Sequence, residues 1–161
     1  MKIIDIKRKS GEIYHCLIDD DDYEKVNQYK WHIKKIGNNI YAEHWLPKNK
    51  TLLMHWLILD LKERIIDHKD CNGLNNQKSN LRYCNKSQNA INTKRVRGKS
   101  KYKGVSQAQS HGIYYNSWYA YAYSNNKRYF LGQFKTEKEA AIAYNLKSIE
   151  LHGNFAKLNS I

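Results

Sequence analysis

Residues 65–92 constrain this chain more than any other stretch. A short apolar run ends in Asp67-His68, passes through Lys-Asp-Cys-Asn-Gly and a series of Asn, Gln and Ser, and returns as Asn80-Leu-Arg-Tyr-Cys-Asn-Lys-Ser-Gln-Asn89. Asn80 follows His68 by 12 residues and Asn89 follows Asn80 by 9, with turn formers filling the first gap. The pattern predicts a strand at Ile65 and Ile66, a loop, a second strand over residues 81–84, and a short helix capped by Asn85 or Ser87 that carries Asn89.

Successive strand residues face opposite ways, so Asp67 can offer a hard oxygen to a divalent ion while His68 presents an imidazole on the other side. A phosphodiester placed there would meet both. Imidazole titrates near neutrality and can take a proton from water, while a metal stabilises the pentavalent phosphorus and the departing 3′ oxygen. Asn89 would complete the metal shell through its amide oxygen. Asn80, counted with the catalytic set, sits where a turn residue ties loop backbone groups together. Taken singly, each of these residues is more often structural. Their order and spacing together point to phosphodiester hydrolysis.

These residues resemble the HNH family of ββα-metal endonucleases in its His-Asn-Asn form, over roughly residues 50–93. The resemblance implies that His68 is the general base, Asp67 a metal ligand and Asn80 the middle Asn of the motif. The third position, His in many members, is Asn89 here, which suits Mg²⁺ or Mn²⁺ better than zinc. A His in the preceding helix is common in such proteins, which leaves His55 either as a phosphate contact or as a hydrogen-bonded core residue.

The net charge of +13 points to a polyanionic partner, and its distribution says where. Residues 1–93 carry 16 Lys and Arg against 12 Asp and Glu, whereas residues 94–161 carry 12 against 3, so most of the excess lies beyond the motif. No apolar stretch reaches membrane-spanning length and the start lacks a signal-peptide core, so the expected location is the cytoplasm, that of the host cell if the chain is phage-encoded. Three cysteines without a Cys-x-x-Cys pair indicate neither a disulfide framework nor a four-cysteine zinc site.

Ahead of the motif, residues 2–6 and 12–18 read as strands around a Lys-Ser-Gly turn. Asp19 to Asp22 read as the solvated, acidic start of a short helix through Gln28. Residues 31–36 and 40–45 flank Gly-Asn-Asn as a hairpin, and the apolar residues 52–61 read as one buried helix. After the motif, residues 94–103 hold six cations and no acid, Lys94, Arg95, Arg97, Lys99, Lys101 and Lys103, a basic linker suited to a phosphate backbone.

Beyond it come strands over residues 102–107, 117–124 and 128–134, then a helix with Thr136 and Glu139 as a capping box and a face of alanines. Those alanines need close partners. Ala120 and Ala122 supply them, which turns Trp118 inward with them and sends Tyr119, Tyr121 and Tyr123 outward, beside Arg128 and Phe130 of the next strand.

This stretch resembles the AP2 DNA-binding domain over residues 100–159, through Tyr102-Lys-Gly-Val105, Trp118-x-Ala120, Arg128-Tyr-Phe-Leu-Gly-Gln-Phe134 and Glu139-Ala-Ala-x-Ala-Tyr144. The resemblance implies a sheet in the major groove, read by Lys103, Tyr119, Tyr121, Tyr123, Arg128 and Phe130. Plant members carry Glu and Arg where this chain has Tyr121 and Tyr123.

The expectation is therefore an α+β chain. Residues 1–93 would form an HNH nuclease domain with a scaffold of small antiparallel sheets, 94–101 a basic linker, and 102–161 an AP2-like three-stranded sheet packed on one helix. Such a chain resembles homing endonucleases and would act as a monomer that nicks double-stranded DNA with Mg²⁺ or Mn²⁺. The rivals are a non-catalytic DNA-binding regulator with a degenerate scaffold, and a binder of structured RNA through the tyrosines.

Overall fold

Turn chemistry divides the amino-terminal half into hairpins. The computed structural model describes residues 1–61, 64–93 and 99–161 and separates into two compact units, Met1–Asn89 and Ala90–Ile161. In the first unit β1 (Lys2–Lys7) pairs antiparallel with β2 (Ile13–Ile18). A 3-10 turn then leads into α1 (Tyr23–Asn27).

A meander follows, of β3 (His32–Ile36), β4 (Asn39–Leu46) and β5 (Lys50–Leu53). Lys48 and Asn49, both at positive φ, make its second turn, a left-handed pair that matches strand twist. Next come α2 (Met54–Leu59), β6 (Ile66–His68) paired with β7 (Leu81–Tyr83), and α3 (Lys86–Ile91). Asn85 caps α3: its side chain accepts from the Gln88 N–H at 2.8 Å, and the Gln88 side chain accepts from the Asn85 N–H at 2.9 Å.

The core of this unit draws on nearly every element, with Ile6, Cys16, Ile18, Val26, Trp31, Ala42, Met54, Ile58, Ile66, Leu74 and Leu81 all buried together. Two expectations fail here. Residues 52–61 are not one helix, because Leu52 and Leu53 close β5 opposite His44 and Glu43 and the helix ends at Asp60, which is left-handed at φ 52°. A nearly unbroken apolar run carries no period that separates strand from helix, and pairing with β4 decided the matter.

Nor is the whole acidic run a solvated cap, although Asp20 and Asp21 are exposed. Asp22 is buried and forms an ion pair with Lys78 at 2.7 Å, and Asp19 accepts from the Lys78 backbone N–H at 2.8 Å and the Gln77 side chain at 3.2 Å. These acids hold a loop that lies almost 60 residues away in sequence.

In the second unit β8 (Val105–Ser110), β9 (Ile113–Ser124) and β10 (Lys127–Phe134) form an antiparallel sheet in the order β10-β9-β8. The turns His111-Gly112 and Asn125-Asn126 are positive-φ pairs. Both strands of the first hairpin differ from expectation, β8 starting later and β9 several residues earlier. Thr136 caps α4 (Glu137–His152) with the full reciprocal capping box.

Tyr102, Val105, Ala120, Ala140 and Ala141 make the core of this unit, with Trp118, Leu131, Phe134 and Ala143 packed around it. Gly104 allows the closest approach: at φ 74°, an added Cβ would stand 2.0 Å from the Tyr144 ring. A bulge between Phe130 and Gly132 resets the alternation of β10, so that Leu131 and Phe134 both reach the core.

On the opposite face Arg128 pairs with Tyr123, and Phe130 with Tyr121. The Phe130 ring lies 5.3 Å from that of Tyr121 and 5.9 Å from that of Tyr119, and the Arg128 guanidinium stands 4.6 Å over Tyr121. Tyr123 and Phe130 are each about 60% exposed (60% and 59%), a large apolar area for a solvent face. The architecture is α+β with several small antiparallel sheets, and among the described residues no helix is long and apolar enough to cross a membrane.

Candidate active site

The β6–β7 hairpin brings Asp67 opposite Arg82 and His68 opposite Leu81. Ile66, Asp67 and His68 are all buried, so this strand has no solvent face. The Arg82 Nη2 and Nε both donate to Asp67 Oδ2, at 2.6 and 2.8 Å. Buried carboxylates need such a partner, and the guanidinium is the side chain whose fork supplies two donors.

His68 Nε2 lies 3.2 Å from Asn76 Oδ1. Its ring centroid stands 5.1 Å from that of His55, edge-on, and 5.8 Å from that of Tyr41. Burial pushes the His68 pKa below its usual value, against the opposing pull of the Asn76 contact and of the Asp70 and Asp67 charges. His55 is also buried, its ring 5.9 Å from that of Tyr41, and desolvation followed by repulsion from His68 brings its pKa down to about 3. It is therefore neutral at physiological pH.

The loop between the strands is built from side chains that mimic backbone. Asn80 Nδ2 donates to Asp70 Oδ1 at 3.0 Å and to the Asn75 carbonyl at 2.8 Å, while its Oδ1 accepts from the Asp70 N–H at 3.1 Å. Asp70 accepts in turn from the Asn72 N–H and the Asn75 amide, both at 2.8 Å. Burial raises its pKa, but these donors together with Asn80 outweigh it and hold the carboxyl below the usual range.

The loop is also anchored from outside. Leu17 N–H donates to Leu74 O at 2.9 Å and Asn76 N–H to Leu17 O at 2.8 Å, so the segment runs parallel along the edge of β2. Gly73 lies where a Cβ would stand 2.3 Å from Ile40 O and 2.7 Å from the Tyr41 ring, which brings β4 against the loop. Asn89 sits on α3, exposed, and its N–H donates to Asn85 O.

Aligned with an uncharacterized HNH endonuclease of Acanthamoeba polyphaga mimivirus, the chain is 31% identical over 145 residues, covering 88% of this chain and 72% of that protein. It belongs to the HNH endonuclease family. A second stretch of 54 residues, 34% of the chain, is 46% identical to an AP2/ERF and B3 domain-containing transcription factor of Arabidopsis thaliana, of which it covers 14%. No family model matches.

Membership in the HNH family implies a divalent metal, and the side chains present set what kind they suit. Among the described residues no group of three or more His, Cys, Asp or Glu is assembled to hold an ion. One carboxylate and an exposed amide do suit a hard ion that keeps water and takes phosphate oxygens, as Mg²⁺ does.

Three neighbours of the HNH site went unread in the sequence. Arg82 becomes visible once the hairpin register is set, since it then faces Asp67. Tyr41 comes from a separate sheet, and Asn76 is hidden in a run of Asn and Gln in which nothing marks one amide from the next.

The buried imidazoles predict an acid-sensitive fold. A His whose folded pKa is depressed stabilises fully above its unfolded value near 6.5, and that stability is lost as the pH falls from there toward the folded value, about 3 for His55. Thermal melts should therefore drop progressively between these limits, and less steeply in a His55→Phe variant. Equal pH slopes for the two proteins would show that His55 is not the group responsible.

Proposed function

We propose that this chain is a metal-dependent DNA endonuclease in which His68 is the general base. The observation that carries the reading is a buried imidazole placed next in the strand to a buried carboxylate, in a hairpin loop pinned by Asn80, within a chain of the HNH family. His68 accepts the proton of the attacking water. Asp67 and Asn89 would hold Mg²⁺ or Mn²⁺, and such an ion when bound supplies charge stabilisation at the phosphate and at the departing 3′ oxygen. Asn80 keeps the loop, and with it the strand bearing His68, in place. Arg82 adds a fixed positive charge beside Asp67. His55, neutral and enclosed, serves as packing for the His68 ring rather than as a cation for phosphate.

Residues 102–161 are proposed as the DNA-binding domain and 1–93 as the nuclease domain. What supports this is the outward cluster of Tyr119, Tyr121, Tyr123, Arg128 and Phe130, the similarity to a transcription factor over 54 residues, and the charge of this half. A ribbon of this width fits the major groove. Lys101 is exposed, and Lys99 lies 3.5 Å over the Tyr114 ring. Lys103 donates to the carbonyls of Ile91 and Thr93, so it orders the start of this unit as well as lending charge. Lys94, Arg95 and Arg97 lie outside the described residues. One site per monomer cuts one strand, the behaviour of a nicking homing-type enzyme.

The test is conversion of supercoiled plasmid to open circles with Mg²⁺ or Mn²⁺, and with excess EDTA as control. DNA binding without any nicking in either metal would favour the non-catalytic regulator. For the second unit, changing Tyr119, Tyr121 and Tyr123 together to Ser should weaken DNA binding roughly 30-fold if one of them is an anchor worth about 2 kcal/mol, with the melting temperature nearly kept. Trp118→Ser should do the opposite, lowering the melt because its ring packs on the helix side. Should the triple variant unfold while the Trp118 variant stays folded and loses only affinity, the two faces have been assigned the wrong way round.

A further inference from the structure

The hydrogen-bond inventory around Asn76 has a consequence for His68. Asn76 is completely buried, at 0% exposure, and its backbone N–H is committed to Leu17 O. Its side-chain Nδ2 faces two sulfurs, Met54 Sδ at 3.5 Å and Cys16 Sγ at 3.6 Å. The Met54 contact sets which way the amide points. A thioether sulfur only accepts, so turning the amide over would set a carbonyl oxygen against the Met54 lone pairs and leave that sulfur without its N–H donor. Cys16 stays a thiol throughout, since burial raises its pKa to about 12. The Asn76 oxygen is therefore the atom directed at His68 Nε2, 3.2 Å away.

An acceptor at Nε2 demands a proton there. We infer that Asn76 is a positioning residue that holds neutral His68 as its Nε2–H tautomer, so that Nδ1 carries the lone pair that takes the proton from water. The two ring nitrogens of a catalytic histidine are distinct, and the bond made by one decides the chemistry of the other. The supports of Asn76 come from far apart in the chain: β2 through Cys16 and Leu17, and the first residue of α2 through Met54. The amino-terminal hairpin thus reaches the proposed base through one amide. This inference rests on His68 acting as general base, but the tautomer itself does not.

The experiment uses the full chain labelled with ¹⁵N at its histidines, without metal, at a pH where His68 is neutral. Long-range ¹H–¹⁵N spectra distinguish a protonated from an unprotonated ring nitrogen, and the His68→Ala spectrum identifies the signal. The expected result is Nε2–H in the wild-type protein and loss of that single tautomer in Asn76→Leu, which keeps the volume and removes the acceptor. Asn76→Asp, which keeps an oxygen in place, should retain the proton on Nε2.

With Mg²⁺, Asn76→Leu should lower kcat about 10- to 100-fold at nearly constant KM, the usual effect of removing the partner that orients a ligand or base. Adding it to His68→Ala should cause no further loss. An Nδ1–H tautomer in the wild-type protein overturns the inference, and so does unchanged Nε2–H in a folded Asn76→Leu. A further loss of activity in the double variant overturns it too, since Asn76 would then act other than through His68. If Asn76→Leu does not fold, the wild-type tautomer and Asn76→Asp decide. Normal cleavage by His68→Ala would refute the general-base reading alone, leaving the tautomer result standing.

Discussion

His68→Ala should cleave DNA about 10² to 10⁴ times more slowly than the wild-type protein, the range for removing a positioned general base. DNA affinity should hardly change. The ring lies in the first unit, buried among Tyr41, His55 and Asn76, while the aromatic and cationic face proposed to grip DNA belongs to the second. Truncation also leaves the Asn76 oxygen without its imidazole and opens space between two rings, so some stability is lost. Melting curves at the assay temperature separate that loss from the chemical one. Binding titrations on the same preparation complete the measurement. A folded variant that nicks plasmid within tenfold of the wild-type rate would remove His68 from the role of base.

DNA affinity of the full chain should fall by about three to four powers of ten between roughly 50 and 200 mM monovalent salt, as expected for some six to eight neutralised phosphates and a log-log slope of about −5 to −7. The count follows from charge placement. Twelve of the 28 Lys and Arg lie in residues 94–161 with only 3 acids, so few of them have a carboxylate partner nearby. In the first 93 residues, by contrast, 12 acids face 16 cations, and Lys25, Lys34, Lys78 and Arg82 are each paired with one. Released counterions, not side-chain hydrogen bonds, dominate such a slope. Titrations at four or five salt concentrations with a short duplex suffice. A slope shallower than about −2 would mean that the basic half is a solvated surface and that affinity resides elsewhere.

Several elements were readable because the forces that make them are local. Positive-φ turn residues announced hairpins at Asn125-Asn126 and around Gly37, and the Thr136 and Glu139 capping box marked the start of α4 to the residue. Two-residue alternation on β9 separated Ala120 and Ala122 from the tyrosines, because strand geometry alone puts neighbours on opposite faces. Of the two residues that could cap α3, Asn85 and Ser87, the structure uses Asn85. Elements without a period of their own were misread. Residues 52–61 are apolar but for His55 and Asp60, and the boundary between β5 and α2 was set by the edge that β4 offered.

The surroundings of His68 divide along the same line. Sequence alone determined that Asp67 and His68 stand next to each other on a short strand, that a loop of turn formers joins it to a second strand, and that positive charge collects beyond residue 93. Only the tertiary structure decided what those side chains touch. Arg82 meets Asp67 through hairpin register, Tyr41 arrives from another sheet, and Asn76 is held by Cys16, Leu17 and Met54. Asp19 and Asp22 read as a solvated helix start, yet they bind the backbone and side chains of Gln77 and Lys78. The physical reason is the same in each case. A propensity or a period is a property of neighbouring residues, whereas a buried polar group is satisfied by whichever donor or acceptor folding brings to it, and that partner leaves no mark on the residues beside it in sequence.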